Sequence, residues 1–176
     1  MYFPEEDSYF LAETLKKYLK KITNKNIKIL DLGAGTGIQS ETCISLGFKN
    51  ILTADIDKES IKALKQKGFQ TKKSNLFSNI KDRFDLIVFN APYLPENKYD
   101  KKLDTTGGKK GYELIIRFLK QARKHLNKNG KILLLFSSYT QPKIIKKKTK
   151  ELGYKFKKLA GKKLFYEELI IIEIKV

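Results

Sequence analysis

The chain has 176 residues, of which 41% are hydrophobic and 32% are charged, and its formal net charge is +18. This length and composition exclude an intrinsically disordered chain and predict a single folded domain over residues 1–176. The positive charge is compatible with a nucleic-acid partner. The basic residues are nearly all lysines, however, whereas proteins that read bases or phosphates favour arginine. We therefore interpret the charge mainly as a lysine-rich composition and keep nucleic acid as an alternative partner.

The cysteine and histidine content excludes several other classes of protein. The single Cys43 cannot form an internal disulfide, which predicts a reducing compartment. One histidine and one cysteine cannot build a conventional zinc site, so no metal is expected. No apolar run reaches the roughly 20 residues that cross a membrane, and the acidic N-terminus is unlike a secretory signal. We expect a cytoplasmic protein without membrane contact.

The first predicted element is an amphipathic helix over Ser8–Leu19. The run over residues 2–8 precedes it and reads Tyr-Phe-Pro-Glu-Glu-Asp-Ser, whose acidic side chains complement the helix dipole. On its own, this run predicts a capped helix start. The apolar face of the helix consists of Phe10, Leu11, Leu15 and Leu19.

A glycine-rich motif follows in the stretch Ile27–Gly37, where a short apolar run ends at Asp31 and three glycines come at alternate positions. This order predicts a β-strand, a tight turn and the start of a helix over Ile38–Leu46. The spacing differs from the G-x-G-x-x-G of dinucleotide-binding folds. Because a carboxylate repels phosphate, Asp31 favours a ligand with a positive charge, such as the amino group of a methionine moiety.

A second predicted strand, Asn50–Asp55, also ends on a carboxylate. Asp55 lies at about the distance from the glycine turn at which nucleotide-binding βαβ units bind ribose hydroxyls. Asp57 is interpreted as the cap of the next helix, Lys58–Lys67. A third strand over Phe69–Ser74 leads to Asn75-Leu76-Phe77, where the adenine of a nucleotide-like ligand would lie.

The fourth predicted strand, Phe84–Phe89, is apolar as in sheets that are buried on both faces. It leads into the tetrad Asn90-Ala91-Pro92-Tyr93, at the strand end where open α/β sheets bind ligands. The asparagine offers an acceptor oxygen, the residue before proline is held extended and can aim its carbonyl outward, and the tyrosine offers a flat ring. Together these groups suit a planar amide or amino group. The alternative is an ordinary proline-containing turn.

The remaining chain predicts a loop, two helices and three strands. The long polar loop over residues 95–111 is interpreted as a wall that faces the substrate. A helix over Tyr112–Leu126 carries His125 in its last turn, which we interpret as structural, and Asn129-Gly130 marks the helix stop. The later elements are a strand over Lys131–Phe136, a helix over Gln141–Leu152 and an antiparallel pair over Tyr154–Leu159 and Leu164–Val176.

Taken together, these motifs resemble the HemK/PrmC-type protein-glutamine methyltransferases, and more closely their short eukaryotic and archaeal branch that modifies class-1 release factors. The resemblance rests on the run Tyr2–Ser8, the D-L-G-x-G-x-G of Asp31–Gly37, the tetrad and the glycine-rich stretch Gly107–Gly111. It implies a Rossmann-like class I fold that binds S-adenosylmethionine (SAM). This is an α/β fold with a mostly parallel seven-stranded sheet, an antiparallel C-terminal strand and helices on both faces. It also implies a small zinc-binding activator protein as partner.

The resemblance also implies roles for individual residues. Ser8 and Asp31 would meet the methionine end of SAM, and Asp55 would hold the ribose. Asn75 stands where the family usually has aspartate, which predicts weaker cofactor binding, and Ala91 replaces a proline, which loosens the backbone. Cofactor contacts are implied for Ser8, Asp31, Gly33, Ala34, Gly35, Asp55, Asn75, Leu76 and Asn90. Substrate contacts are implied for Asn90, Ala91, Pro92 and Tyr93, with Asn90 and Tyr93 catalytic.

The predicted reaction is methylation of the glutamine side-chain amide in the Gly-Gly-Gln loop of a class-1 translation release factor. Two alternatives stay open. The same tetrad suits transfer to an exocyclic amino group of adenine or guanine in RNA or DNA, and the departures at Asn75 and Ala91 are compatible with a scaffold that keeps the SAM-type fold but no longer turns over.

Overall fold

The structure, a computed structural model, describes residues 3–93, 108 and 110–176. Helices and strands alternate over most of this part of the chain, as expected for an α/β fold. In chain order the elements are α1 (Glu6–Leu19), β1 (Ile29–Leu32), α2 (Ile38–Ser45), β2 (Ile51–Asp55), α3 (Lys58–Gln66), β3 (Gln70–Lys73), β4 (Phe84–Asn90), α4 (Glu113–Ala122), β5 (Leu126–Ser137), α5 (Pro142–Glu151), β6 (Lys155–Lys163) and β7 (Glu168–Lys175).

The strands described by the structure form one seven-stranded sheet in the order β3-β2-β1-β4-β5-β7-β6. The pairs β1–β2, β1–β4, β2–β3 and β4–β5 are parallel. β7 pairs antiparallel with both of its neighbours, β5 and β6. The predicted sheet, mostly parallel with an antiparallel C-terminal strand, is confirmed. The strand order reverses beside β1, so the carboxyl ends of β1, β2 and β4 frame the crevice in which such sheets bind ligands.

Helices cover both faces of the sheet, because alternate residues of the central strands point to opposite sides. On β4, Leu86 and Val88 join a cluster with Leu11, Leu15 and Leu19 of α1. Ile87 and Phe89 join a second cluster that contains residues of α4 and α5. Asn90 continues the alternation on the α1 side. Burial of this apolar surface on both faces is the main stabilising contribution to the fold.

The prediction for the segment after α4 was wrong. The helix ends at Ala122, a 3₁₀ turn covers Arg123–His125, and β5 begins at Leu126 rather than at Lys131. The sequence pair Asn129-Gly130, interpreted as a helix stop, is instead an irregularity within β5, where the register against β4 shifts and Asn129 has a φ of 68°. A side chain at Gly130 would come within 2.7 Å of the Phe84 carbonyl oxygen, which explains the glycine.

Other boundaries differ by a few residues. α1 begins at Glu6 rather than Ser8, and its N-cap residue Glu5 makes no side-chain cap hydrogen bond. Within the acidic run it is Asp7, in the first turn, that accepts a helix N–H, that of Ser8. β6 extends to Lys163 and β7 begins at Glu168, with a short turn between them. Two smaller interpretations hold: Cys43 is a core residue, and Asp57 caps α3 by accepting the N–H of Ser60 at 2.8 Å.

Candidate active site

A pocket of about 440 Å³ opens at the carboxyl ends of β1, β2 and β4. Its volume is in the range of small-molecule sites. Asp31, Asp55 and Asn90, which come from three different strands, line this one pocket. All residues predicted to form the site are among its lining: Ser8, Asp31, Gly33, Ala34, Gly35, Asp55, Asn75, Leu76, Asn90, Ala91, Pro92 and Tyr93.

The glycine loop between β1 and α2 is fixed to β2 by backbone hydrogen bonds. The N–H groups of Gly33 and Ala34 both donate to the Ala54 carbonyl oxygen, at 2.8 and 3.1 Å. The Gly35 N–H donates to Asp55 Oδ2 at 2.8 Å. Gly33 has a φ of +66°, and a side chain there would meet the Phe89 ring at 3.4 Å. The loop, which includes Gly33, Ala34, Gly35 and Thr36, forms one wall of the pocket.

Asp31 is a buried carboxyl group at the end of β1, only 3% exposed. Its Oδ2 accepts both the N–H and the hydroxyl of Ser40, at 3.1 and 2.6 Å. Burial, assisted by the charge of Asp55, raises the pKa of Asp31 to about 7, although the Ser40 hydrogen bonds act in the opposite direction. None of the ion pairs between described residues involves Asp31. A ligand cation would therefore favour its ionised form.

Asp55 and Asp57 have separate tasks at the carboxyl end of β2. Asp57 accepts the Ser60 N–H and hydroxyl, which hold the pKa of its carboxyl down to about 2. Asp55 accepts the N–H of Gly35 on Oδ2 and that of Asp57 on Oδ1, at 2.8 and 2.9 Å. Burial raises the pKa of Asp55, against the effect of these hydrogen bonds. Asp55 therefore stabilises the glycine loop as well as lining the pocket.

The far end of the pocket is formed by the turn after β3. Leu76 has a φ of 52°, which is uncommon for a leucine, and the Ser74 hydroxyl stabilises this turn by donating to the Leu76 carbonyl oxygen at 2.7 Å. Arg117 of α4 donates to Asn75 Oδ1 at 3.1 Å. The acceptor oxygen of Asn75 thus already has a partner, which sequence reasoning did not anticipate.

Asn90 is the last residue of β4 and is held by α1. Its Nδ2 donates to Asp7 Oδ2 at 3.1 Å and to Ser8 Oγ at 3.4 Å. Within the part of the chain that the structure describes, its Oδ1 is buried and has no hydrogen-bond partner. Such an atom is costly to bury and is an acceptor prepared for a donor from a ligand.

Tyr93 lies beside this asparagine and is half-buried. Burial raises the pKa of the Tyr93 hydroxyl, and the nearby carboxylates of Asp7, Glu167 and Glu5 raise it further. Ala91 is buried and donates its N–H to the Leu135 carbonyl oxygen at 3.4 Å, which ties the tetrad to β5. Within the tetrad, the two polar side chains therefore face α1.

Sequence reasoning missed two residues that shape this end of the pocket. Asp7 was interpreted as part of a helix start, yet it is only 5% exposed and contacts Asn90 across 83 positions of sequence. Gln39 donates from Nε2 to the Ser8 carbonyl oxygen at 2.9 Å and fixes α1 to α2. The available signals for Asp7 were the acidic run and its place in the stretch Tyr2–Ser8 on which the family resemblance partly rests. The loop over residues 95–111, predicted to face the substrate, lies outside the described residues except at 108, 110 and 111.

Residues 5–159 match the methyltransferase small domain family. The chain belongs to this family. It is a SAM-dependent methyltransferase with a Rossmann-like fold, which confirms the predicted enzyme class and cofactor. A protein of Methanocaldococcus jannaschii, provisionally named a protein N5-glutamine methyltransferase, is 35% identical over 184 aligned positions, covering 98% of this chain and 90% of the relative.

Two further comparisons point to related proteins. The release factor glutamine methyltransferase of Aquifex aeolicus is 32% identical over 74% of this chain, but the chain spans only 54% of that relative. A chain of the E. cuniculi Mtq2–Trm112 complex, responsible for methylation of the eRF1 translation termination factor, is 26% identical. Its TM-score is 0.82, and the match covers 99% of this chain and 97% of that one.

The described residues contain neither a membrane-spanning helix nor a cluster of metal ligands. None of their helices is long and apolar enough to cross a membrane. They contain no group of three or more His, Cys, Asp and Glu side chains placed to hold a metal ion.

Proposed function

We propose that this methyltransferase modifies the side-chain amide nitrogen of the glutamine in the Gly-Gly-Gln loop of a class-1 release factor. One observation carries the proposal: Asn90 Oδ1 is buried and has no hydrogen-bond partner among the described residues, and it is an acceptor suited to the N–H of a planar amide. The named activities of the M. jannaschii, A. aeolicus and E. cuniculi relatives support the same acceptor.

The pocket fits SAM. Its acidic end contains Asp31, a buried carboxyl group that forms no ion pair with a described residue, and the amino group of the cofactor would provide the counter-charge that favours its ionised form. Ser8 and the backbone of Gly33, Ala34 and Gly35 would surround the same methionine moiety. The second lone pairs of the Asp55 oxygens would accept ribose hydroxyls, and Asn75 and Leu76 would flank the adenine. When bound, SAM supplies an electrophilic methyl group on a positively charged sulfur.

The chain's own part in the reaction is to position the acceptor. An amide nitrogen is a poor nucleophile, because its lone pair is delocalised into the carbonyl group. Asn90 Oδ1 and the Ala91 carbonyl oxygen would accept the two amide hydrogens, which returns electron density to the nitrogen and fixes its orientation. Tyr93 would hold the plane of the amide. The nitrogen gains a methyl group and loses one proton to water, so no strong base is needed. Positioning and oriented dipoles of this kind can each contribute several kcal/mol.

The whole chain, residues 1–176, would form one methyltransferase domain that acts in the cytoplasm. We also propose a small zinc-binding activator protein as partner. The E. cuniculi protein of similar fold was solved in complex with Trm112, which supports a partner of this kind. Co-expression with such a protein and co-purification would test it.

The decisive experiment is Asn90→Ala, assayed for turnover with a release factor carrying the Gly-Gly-Gln loop and for SAM binding by calorimetry. We expect activity to fall by at least about 100-fold, as for loss of one preorganised polar group, while SAM affinity changes little. Asn50→Ala, at an exposed asparagine before β2, is the matched control and should behave as wild type. An Asn90→Ala enzyme with full activity would rule out the proposed role. Failure of the wild type to bind SAM would support a non-catalytic scaffold.

A nucleic-acid amino group is the second candidate acceptor, favoured by the net charge of +18 and by the lysines of α5. The same assay with tRNA and DNA separates the two. Activity on nucleic acid that falls steeply with added salt, with none on the release factor, would reverse the assignment.

A further inference from the structure

We infer that Asp7 is a positioning residue: it determines whether the oxygen or the NH₂ group of the Asn90 side chain faces the methyl acceptor. The inference rests on the proposed function, because it concerns the residue that would hold the acceptor amide. Asp7 belongs to α1, and Asn90 ends β4, so the contact joins two elements that are distant in sequence. Its effect is on orientation rather than on chemistry.

The geometry of the contact fixes the orientation of the asparagine. The two ends of an asparagine amide have nearly the same size, so packing alone does not distinguish them. A carboxylate can only accept hydrogen bonds, and Asp7 Oδ2 lies 3.1 Å from Asn90 Nδ2. The donor end of the amide must therefore face Asp7, and the acceptor end, Oδ1, is turned away from it. Of the two ends of the Asn90 amide, Oδ1 is the one without a hydrogen-bond partner among the described residues.

Asp7 itself is held in place by its own helix. Its Oδ1 accepts the hydroxyl of Ser8 at 3.1 Å and also the Ser8 backbone N–H. The Ser8 carbonyl oxygen accepts from Gln39 at 2.9 Å, and the neighbouring Glu6 pairs with Lys162 at 2.8 Å. Further along α1, the fully buried Leu11 anchors the helix in the core. A side chain fixed on a packed helix can position a partner more accurately than one on a loop.

Asp7→Asn tests this orientation with almost no change in shape. The oxygen of the new amide would stay with the two Ser8 donors, so its NH₂ group would face Asn90 Nδ2. Two donors cannot pair, and the Asn90 amide would turn over to offer its oxygen to the new NH₂. The glutamine amide of the substrate would then face the Asn90 NH₂ group, although its own N–H groups need an oxygen as partner. We expect kcat to fall by about 100-fold, as for loss of one preorganised polar group, with SAM affinity within about threefold of wild type.

Glu6→Gln is the matched control, because it removes a carboxylate from the same helix turn. Among the described residues, that carboxylate forms an ion pair with Lys162 at the surface. The variant should leave kcat and SAM affinity unchanged. If Asp7→Asn does not fold, Asp7→Ala takes its place; it removes the acceptor without adding a donor and should give a smaller loss of kcat.

A double-mutant cycle separates positioning from a general structural role. In the Asn90→Ala background, Asp7→Asn should cost far less kcat than it does in the wild type, since the amide it orients is gone and only its contact with the Tyr93 hydroxyl is left to change. Side-chain amide NMR provides a readout that needs no activity. The Asn90 Nδ2 signals, assigned by their loss in Asn90→Ala, should shift in Asp7→Asn and stay in place in Glu6→Gln.

Three results would overturn the inference: full kcat in Asp7→Asn, additive losses in the double mutant, or a loss of SAM affinity that accounts for the whole loss of activity. The last result would mean that Asp7 acts through Ser8 on the cofactor. Full activity of Asn90→Ala would instead contradict the proposed function, and the NMR comparison would still decide whether Asp7 orients Asn90.

Discussion

Asp31→Asn removes the one buried carboxyl of β1 and tests whether the pocket is built for a cationic ligand. In the wild type, burial raises the pKa of Asp31 to about 7, so near neutral pH the group is divided between its two forms. If the ionised form is the one that binds the amino group of SAM, only that fraction is competent. The fraction rises from about 0.1 at pH 6 to about 0.8 at pH 7.5, so we expect SAM affinity to increase about eightfold over this interval.

The amide variant should bind SAM about 10- to 100-fold more weakly at pH 7.5, which corresponds to the about 1.5–3 kcal/mol of a hydrogen bond to a charged group. Its affinity should also be nearly independent of pH between 6 and 7.5. Isothermal titration calorimetry in two buffers of different ionisation enthalpy measures both effects. It should also record release of about one proton per SAM bound by the wild type at pH 6, because binding ionises Asp31.

The pH dependence of protein stability provides an independent check on the raised pKa of Asp31, and its direction follows from the direction of the pKa shift. The pKa of Asp31 is raised on folding, so the folded state holds its proton more tightly than the unfolded state. Its contribution to stability is therefore fully present below the unfolded pKa of about 4 and is lost as the pH rises through about 7. Asp31→Asn should gain in melting temperature relative to wild type as the pH rises from 5 to 8. Asp57→Asn is the control, because Asp57, with a pKa of about 2, does not titrate in this range.

A wild-type SAM affinity that does not change between pH 6 and 7.5 would refute the reasoning. So would an Asp31→Asn protein that binds SAM as tightly as wild type. Asp55 also has a raised pKa and lies close enough to influence Asp31, so a pH dependence that persists in Asp31→Asn would assign the titration to Asp55 instead.

Two further predictions concern the fold. Gly37→Ala should lower the free energy of unfolding by about 1–3 kcal/mol more than Gly47→Ala in urea denaturation. Both glycines have a positive φ (+93° and +86°), but only at Gly37 would the new Cβ meet Leu64, at 2.8 Å. Equal losses in the two variants would contradict this packing. The Cys43 thiol is 1% exposed and burial raises its pKa. It should therefore react with a thiol reagent only after unfolding, and rapid stoichiometric reaction of the native protein would be inconsistent with this environment.

Local patterns were sufficient to predict most of the sheet and the glycine loop. A strand that ends at Asp31 before three glycines, and an apolar strand that ends at Asn90, both carry their signal in consecutive residues. The start of β5 could not be predicted in this way. Leu126 pairs with Phe84, and the irregularity at Asn129 accommodates the shift that follows. This pairing joins residues about 40 positions apart, so a window over the helix alone favours its continuation through Leu126.

The same limit explains why the role of Asp7 was not predicted. Near the start of a helix, a carboxylate is usually accounted for by the helix dipole and by capping. In this structure Glu5, the cap residue, makes no side-chain cap hydrogen bond, and Asp7 turns toward the sheet. Only the tertiary position of α1, set by Leu11, Leu15 and Leu19 against β4, brings that carboxylate to Asn90. The sequence contained the residues of this contact but no periodicity that connects them.

The position of Asp55 indicates how the pocket is prepared for its ligand. Asp55 accepts the Gly35 and Asp57 backbone N–H groups, so the glycine loop and the end of β2 are joined through one carboxylate. Asp57 caps α3 by accepting the Ser60 N–H, so it is Asp55 that joins the loop to β2. A ribose that binds the remaining lone pairs of Asp55 would find the loop already ordered, and binding would not have to supply the conformational entropy of fixing it. A substitution that removes the Asp55 carboxylate should therefore weaken SAM binding twice, through the lost ribose contact and through a glycine loop that is no longer held.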